Sequence, residues 1–140
     1  MASSQEGIAR SMAEAAHRGQ LDKAGRPYIE HPAHVAAHVE GDAAKAAAWL
    51  HDVVEDTGVT FDDLLAAGIS SEVLEAVRLL THEPGTPYME YVRRIKANPI
   101  ARAVKLADLA HNSDLSRLPE VTESDLERLE KYQKAMAELS

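Results

Sequence analysis

Residues 43–56 read AAKAAAWLHDVVED. Alanine is the strongest helix former, and five of the first six residues are alanine. The segment predicts one helix, capped by Asp42. Alanine-dense helices let their neighbours approach closely, so this helix belongs at the centre of the fold. Working outward, Ser3 and Ser4 can cap a first helix running to about Arg18. GQLDKAGRP (19–27) is a loop punctuated by Gly25 and Pro27. His31-Pro32 opens a second helix that ends near Gly41. Thr60 caps a short FDDLLAAG helix, and Ser70 or Ser71 starts SEVLEAVRLLT. Pro87 to about Ala97 is helical, with Tyr88, Tyr91, Val92 and Ile95 on one stripe. Pro99 opens IARAVKLADLAHNSDLSRL, and Thr122 caps the last helix. Short loops between these segments predict a single compact all-α bundle of about seven to eight helices over residues 1–140.

Composition narrows the chemistry. The 140 residues include no cysteine, which excludes disulfides, thiolate zinc sites and a cysteine nucleophile. Fifteen Lys and Arg against 23 Asp and Glu give a net charge of −8. Phosphate backbones and anionic lipids repel such a chain, so no nucleic-acid or membrane partner is expected. No apolar run reaches the length of a membrane span. MASSQEGIAR lacks the basic-then-apolar order of a signal peptide, and a cytoplasmic protein is expected.

The polar residues of the central segment are His51, Asp52, Glu55 and Asp56. On a continuous helix, residues four apart stack, so 51 stands over 55 and 52 over 56. Buried acids need a compensating cation, and the alternative is a solvated polar stripe. Two further residues favour the cation. His31 stands at a helix start, and Asp108 lies in apolar VKLADLAHN. His31, His51, Asp52 and Asp108 offer two imidazoles and two carboxylates, a set that suits Mn²⁺, Fe²⁺, Zn²⁺ or Mg²⁺. An octahedral ion held by four ligands keeps positions for water and substrate.

The order H…HD…D resembles the HD-domain metal-dependent phosphohydrolases, specifically the RelA/SpoT-type hydrolase domain and the small stand-alone alarmone hydrolases. AHRGQLDKAGRPYIEHPAHVA, WLHDVVEDTGVTFDDL and VKLADLAHN carry the likeness, which covers nearly the whole chain. It implies that His31, His51, Asp52 and Asp108 ligate one divalent ion, with Mn²⁺ expected first. It implies that Glu55 and Asp56 orient and deprotonate the attacking water, and that Lys23, Asn112, Arg128 and Tyr132 contact a nucleotide substrate. The implied activity is (p)ppGpp 3′-pyrophosphohydrolysis, releasing pyrophosphate. No synthetase domain is expected beside the bundle. A different 3′-phosphorylated nucleotide, NADPH or a nucleoside monophosphate is an alternative substrate, and a non-catalytic nucleotide-binding module is a third reading.

The chain departs from the family at two places. Asp22 stands where those hydrolases carry an arginine that packs on the guanine base. Asp114 follows Asn112 where a basic residue is usual. His34 and His38 read as packing or partly exposed residues, His111 as a contact to a substrate phosphate or a helix-flank residue, and His17 and His82 have no evident partner in the sequence. Asp62-Asp63 and the acids from Glu120 to Glu130 read as solvated faces.

Overall fold

The computed structural model describes residues 4–140 as nine α-helices and one 3₁₀ turn, with no strand among them. The helices are α1 (Gln5–Ala16), α2 (Glu30–Ala37), α3 (Asp42–Leu50), α4 (Val53–Asp56) and α5 (Phe61–Ala66). They continue with α6 (Ser71–Leu80), α7 (Tyr88–Lys96), α8 (Pro99–Asn112) and α9 (Glu123–Leu139), and the 3₁₀ turn is Leu115–Arg117. Among the described residues no helix is long and apolar enough to cross a membrane.

α3 is the axis of the bundle. It packs against α1, α2, α6 and α8. Ala46, Ala47, Ala48 and Leu50 are wholly buried. Their small side chains bring the flanking helices close, as the alanine content predicts. The outer layer closes the core with Val73 and Val77 of α6, Val92 and Ile95 of α7, Val104 and Leu109 of α8, and Ala135 and Leu139 of α9.

Most helix starts follow their sequence signals. Ser4 caps α1 and Ser70, rather than Ser71, caps α6; Ser3 lies outside the described residues. Thr60 with Asp63, and Thr122 with Asp125, form reciprocal capping boxes. Asp42 behaves differently from expectation. It is the first residue of α3 and not its cap, and Gly41, at φ 95°, takes that place. The Asp42 carboxylate accepts from the backbone N–H groups of Gln5 (2.9 Å) and Glu6 (3.0 Å). It therefore satisfies the free donors at the start of α1 and ties that helix to α3.

The larger departure is in the central segment. The expected single helix from 43 to 56 breaks after Leu50 and resumes at Val53. The His51 N–H bonds back to Ala48 O, three residues away, so the last turn tightens. Asp52 then sits at φ −111°, ψ −3°, the sparsely populated bridge region where active-site residues recur. The stacking of His51 over Glu55 does not survive the break. Asp52 and Asp56 stay one turn apart through the Asp56 N–H to Asp52 O bond.

Filling the alanine seam should be costly. Ala47→Leu adds volume where nothing can move, and a loss of about 1–3 kcal/mol is expected in denaturant unfolding. An unchanged midpoint would mean that α3 does not set the helix spacing.

Candidate metal centre

Three segments meet at one buried point. α2 brings His31, the helix break brings His51 and Asp52, and α8 brings Asp108. In an unbroken helix, consecutive side chains diverge by about 100°. The break lets both His51 and Asp52 face inward, and His51 Nε2 lies 3.0 Å from Asp52 Oδ2. His31 Nε2 lies 2.8 Å from Asp108 Oδ1 and 3.9 Å from Asp52 Oδ2. His51 Nε2 is 3.3 Å from the same Asp108 oxygen. Ligand atoms of His31, His51 and Asp108 all lie within 4.8 Å of one another, and all three side chains are buried.

The donors fit a cation. His51 Nδ1 is 2.6 Å from the Ala48 carbonyl oxygen, which can only accept, so Nδ1 carries the proton. That leaves the Nε2 lone pair facing two carboxylate oxygens, and Nε2 is buried without a well-formed hydrogen bond. Acceptors aimed at acceptors need a positive charge between them, either a proton or a metal ion. Burial alone would make His51 harder to protonate. Asp52 and Asp108 outweigh it and hold the imidazolium well above its usual range.

Asp108 is the most heavily partnered residue. Burial would raise its carboxyl, but Lys105, His51 and His31 hold it well below the usual range. Lys105 Nζ donates to Oδ2 at 3.0 Å, and Asn112 Nδ2 donates to Oδ1 at 3.0 Å. Burial likewise pushes Asp52 up, and His51 more than compensates, bringing it to about 2. The Tyr28 hydroxyl donates to Asp52 Oδ2, and the buried His17 ring packs on Tyr28 with centroids 4.9 Å apart. With both histidines neutral, as ligands are, two carboxylates against one lysine leave one negative charge in excess, which a divalent ion would offset.

A cavity of about 410 Å³ opens beside the centre, with Tyr28, His31 and Asn112 in its wall. All four residues expected to meet substrate, Lys23, Asn112, Arg128 and Tyr132, line it. Asn112 also holds Asp108, so it belongs to both places. Glu55 and Asp56 are not in this wall. They are exposed on α4 rather than buried as their apolar segment suggests. Glu55 Oε1 accepts from the His82 N–H at 2.7 Å. Asp56 has its carboxyl raised by partial burial and by the charges of Asp52 and Glu55.

Several residues here were not expected. Lys105 sits at i−3 from Asp108 in an apolar helix, a spacing that signals an ion pair. Asp125 reads as a solvated acid in sequence, yet it is buried in the cavity wall. It accepts from Arg128, and its Oδ1 lies 3.8 Å from Lys23 Nζ. Arg117 brings a basic side chain three residues after Asp114; it lines the cavity and donates to His111 O at 2.8 Å. Asp22 turns its Oδ1 to the N–H groups of Ala24 and Arg26, both at 2.9 Å, and so shapes its own loop.

The chain as a whole is matched by known proteins. The HD-domain family model matches residues 9–138. The chain belongs to the HD-domain family. It is 36% identical over 115 residues to the mouse guanosine-3′,5′-bis(diphosphate) 3′-pyrophosphohydrolase MESH1, covering 72% of this chain and 64% of that protein. It is 32% identical to a probable GTP pyrophosphokinase of Mycobacterium leprae, covering 72% of this chain and 14% of that protein. The chain thus spans less than two thirds of these curated relatives. A solved structure described as a metazoan SpoT orthologue that hydrolyses ppGpp superposes with a TM-score of 0.77 at 26% identity. That match covers 99% of this chain and 87% of the other.

Two measurements check the electrostatics. Removing Lys105 leaves Asp108 buried without its lysine partner, so Lys105→Met should cost about 3–5 kcal/mol, with part recovered in the double variant with Asp108→Asn. Full additivity of the two changes would deny the pairing. Asp125 is held at about 2, first by the Thr122 N–H and then by its hydroxyl. A depressed folded pKa adds stability above the ordinary value of 3.8 and loses it as pH falls towards 2. The melting-temperature gap between the protein and Asp125→Asn should therefore be wide at pH 7 and close near pH 2.

Proposed function

We propose that this chain is a metal-dependent phosphohydrolase of a phosphorylated nucleotide, with a guanosine 3′-pyrophosphate as the first substrate. The observation that carries the reading is the buried convergence of His31, His51 and Asp108 beside a cavity large enough for a nucleotide. His31, His51, Asp52 and Asp108 would hold one divalent ion, with Mn²⁺ the first choice and Fe²⁺, Zn²⁺ or Mg²⁺ the alternatives. Such an ion neutralises charge on a phosphoryl group and makes water more acidic. The printed names of the relatives support a 3′-pyrophosphate as the scissile group.

The chain's own residues divide the remaining work. Tyr28 holds Asp52 and Asn112 holds Asp108, so both carboxylates present fixed oxygens. Asp56, whose carboxyl is raised by partial burial and by the charges of Asp52 and Glu55, would accept the proton of the attacking water, and Glu55 would orient beside it. Lys23, Arg117 and Arg128 meet phosphate or ribose, and Tyr132 packs against the nucleotide. Leu21, 62% exposed at the cavity wall, offers an apolar surface to a base where the related hydrolases use arginine. The compartment that goes with this reading is the cytoplasm.

One observation favours a second substrate class. Asp125 already compensates Lys23 and Arg128, so the mouth draws a nucleotide with two diphosphate groups only weakly. A nucleotide of lower charge (a 3′-monophosphorylated nucleotide, NADPH or a nucleoside monophosphate) suits that balance.

Product analysis of the Mn²⁺-loaded protein on ppGpp, NADPH and nucleoside monophosphates decides between them. Pyrophosphate from ppGpp, absent with Asp52→Ala, is the expected result. Phosphate from another substrate alone moves the specificity. Silence on all, with ion bound, would leave a binding module. Asp52→Ala and Asp108→Ala should lose ion and turnover together. Glu55→Ala and Asp56→Ala should keep the ion, and losing Asp56 should cost at least ~10²-fold in turnover.

A further inference from the structure

The two imidazoles of the centre are supported unequally. His51 Nδ1 is fixed by a backbone carbonyl. His31 Nδ1 meets another histidine: it lies 2.8 Å from His111 Nδ1. The two rings are within 5° of parallel, with centroids 5.0 Å apart. That separation is what the short N–N distance plus two ring radii allows, so the rings meet edge to edge in one plane. This is hydrogen-bond geometry and not face stacking.

His111 is itself clamped. His34 stacks on its face at 3.7 Å and 12°, and His38 stacks on His34 at 4.1 Å and 21°. Arg117 grips the His111 carbonyl from the other side of the turn. His34 comes from α2, the same helix as His31, His38 directly follows that helix, and His111 comes from α8, the helix of Asp108. The ladder therefore links the two helices that supply the centre.

We infer that His111 is a positioning residue that sets the ring orientation and tautomer of His31. This rests on the metal reading given above. A neutral imidazole that offers Nε2 to an ion keeps its proton on Nδ1. His31 is 4% exposed, so water cannot take that proton's hydrogen bond. His111 Nδ1 accepts it, which places the proton of His111 on its own Nε2. Metal-ligating histidines as a class need such a partner, and its loss typically lowers metal affinity 10- to 100-fold. Here the partner is an imidazole held by aromatic stacking.

The test uses three substitutions and two readouts. Asparagine places its side-chain oxygen near the position of histidine Nδ1, and glutamine places it near Nε2. Chelator competition measures the ion's dissociation constant. Nitrogen NMR of the histidine rings in the Zn²⁺-loaded protein reports where each proton resides. The expected result is a 10- to 100-fold affinity loss in His111→Ala, recovery in His111→Asn and none in His111→Gln. The spectrum should place the proton on Nδ1 of His31 and on Nε2 of His111. Wild-type affinity in His111→Ala would overturn the assignment, as would glutamine rescuing as well as asparagine. An ion that wild-type protein does not bind would remove the metal reading and this assignment with it. Ion binding indifferent to His111 would remove this assignment alone.

Discussion

The burial of Asp108 is the constraint on which the rest of the centre depends. A carboxylate enclosed between α2, α3 and α8 costs several kcal/mol unless cations and donors surround it. Lys105 takes one oxygen, while Asn112 and His31 address the other. Each partner is thereby placed. His31 is drawn to the centre from α2, and Asn112 is held at the end of α8 where the cavity begins. The helices can pack this closely only because α3 presents alanines at the crossings.

The break in the central helix follows from the same demand. His51 and Asp52 are adjacent in sequence, and a regular helix would aim them apart. Opening the helix at this point forfeits regular backbone hydrogen bonds. The His51 ring recovers part of that loss through the Ala48 carbonyl, and the Tyr28 hydroxyl secures Asp52. Local irregularity is retained because the surrounding contacts over-determine it. The exposed position of Glu55 and Asp56 is a consequence: beyond the break, α4 is one turn long and turns its acids outward.

The parts legible in the sequence were those written in local or compositional code. Thr60, Ser70 and Thr122 announce their helices because a cap and its target lie within four residues. His31, His51, Asp52 and Asp108 stand out because polar groups in apolar segments need partners. The misread residues act across the chain. Asp42 caps a helix 37 residues away, and nothing near it reveals that. Asp125 looks like one acid among many until Lys23 arrives from the opposite end of the chain. His111 resembles a helix-flank residue because its partner is 80 positions distant.

The cavity mouth shows how such long-range pairing shapes selectivity. Lys23, Arg117 and Arg128 are the cations in its wall, and Asp22, Asp114 and Asp125 are the acids. Counted together they cancel, so the wall exerts little net pull on an anion. The acids are not loose, however. Asp22 and Asp114 are spent on their own turns, and Asp125 on the start of α9. Each fixes a loop that carries a cation or an apolar side chain into the cavity, including Leu21 and Leu115. The arrangement exchanges electrostatic attraction for a defined shape. Attraction for a phosphorylated ligand is then concentrated at the metal centre itself, where two buried carboxylates would hold the cation, and the mouth selects by fit.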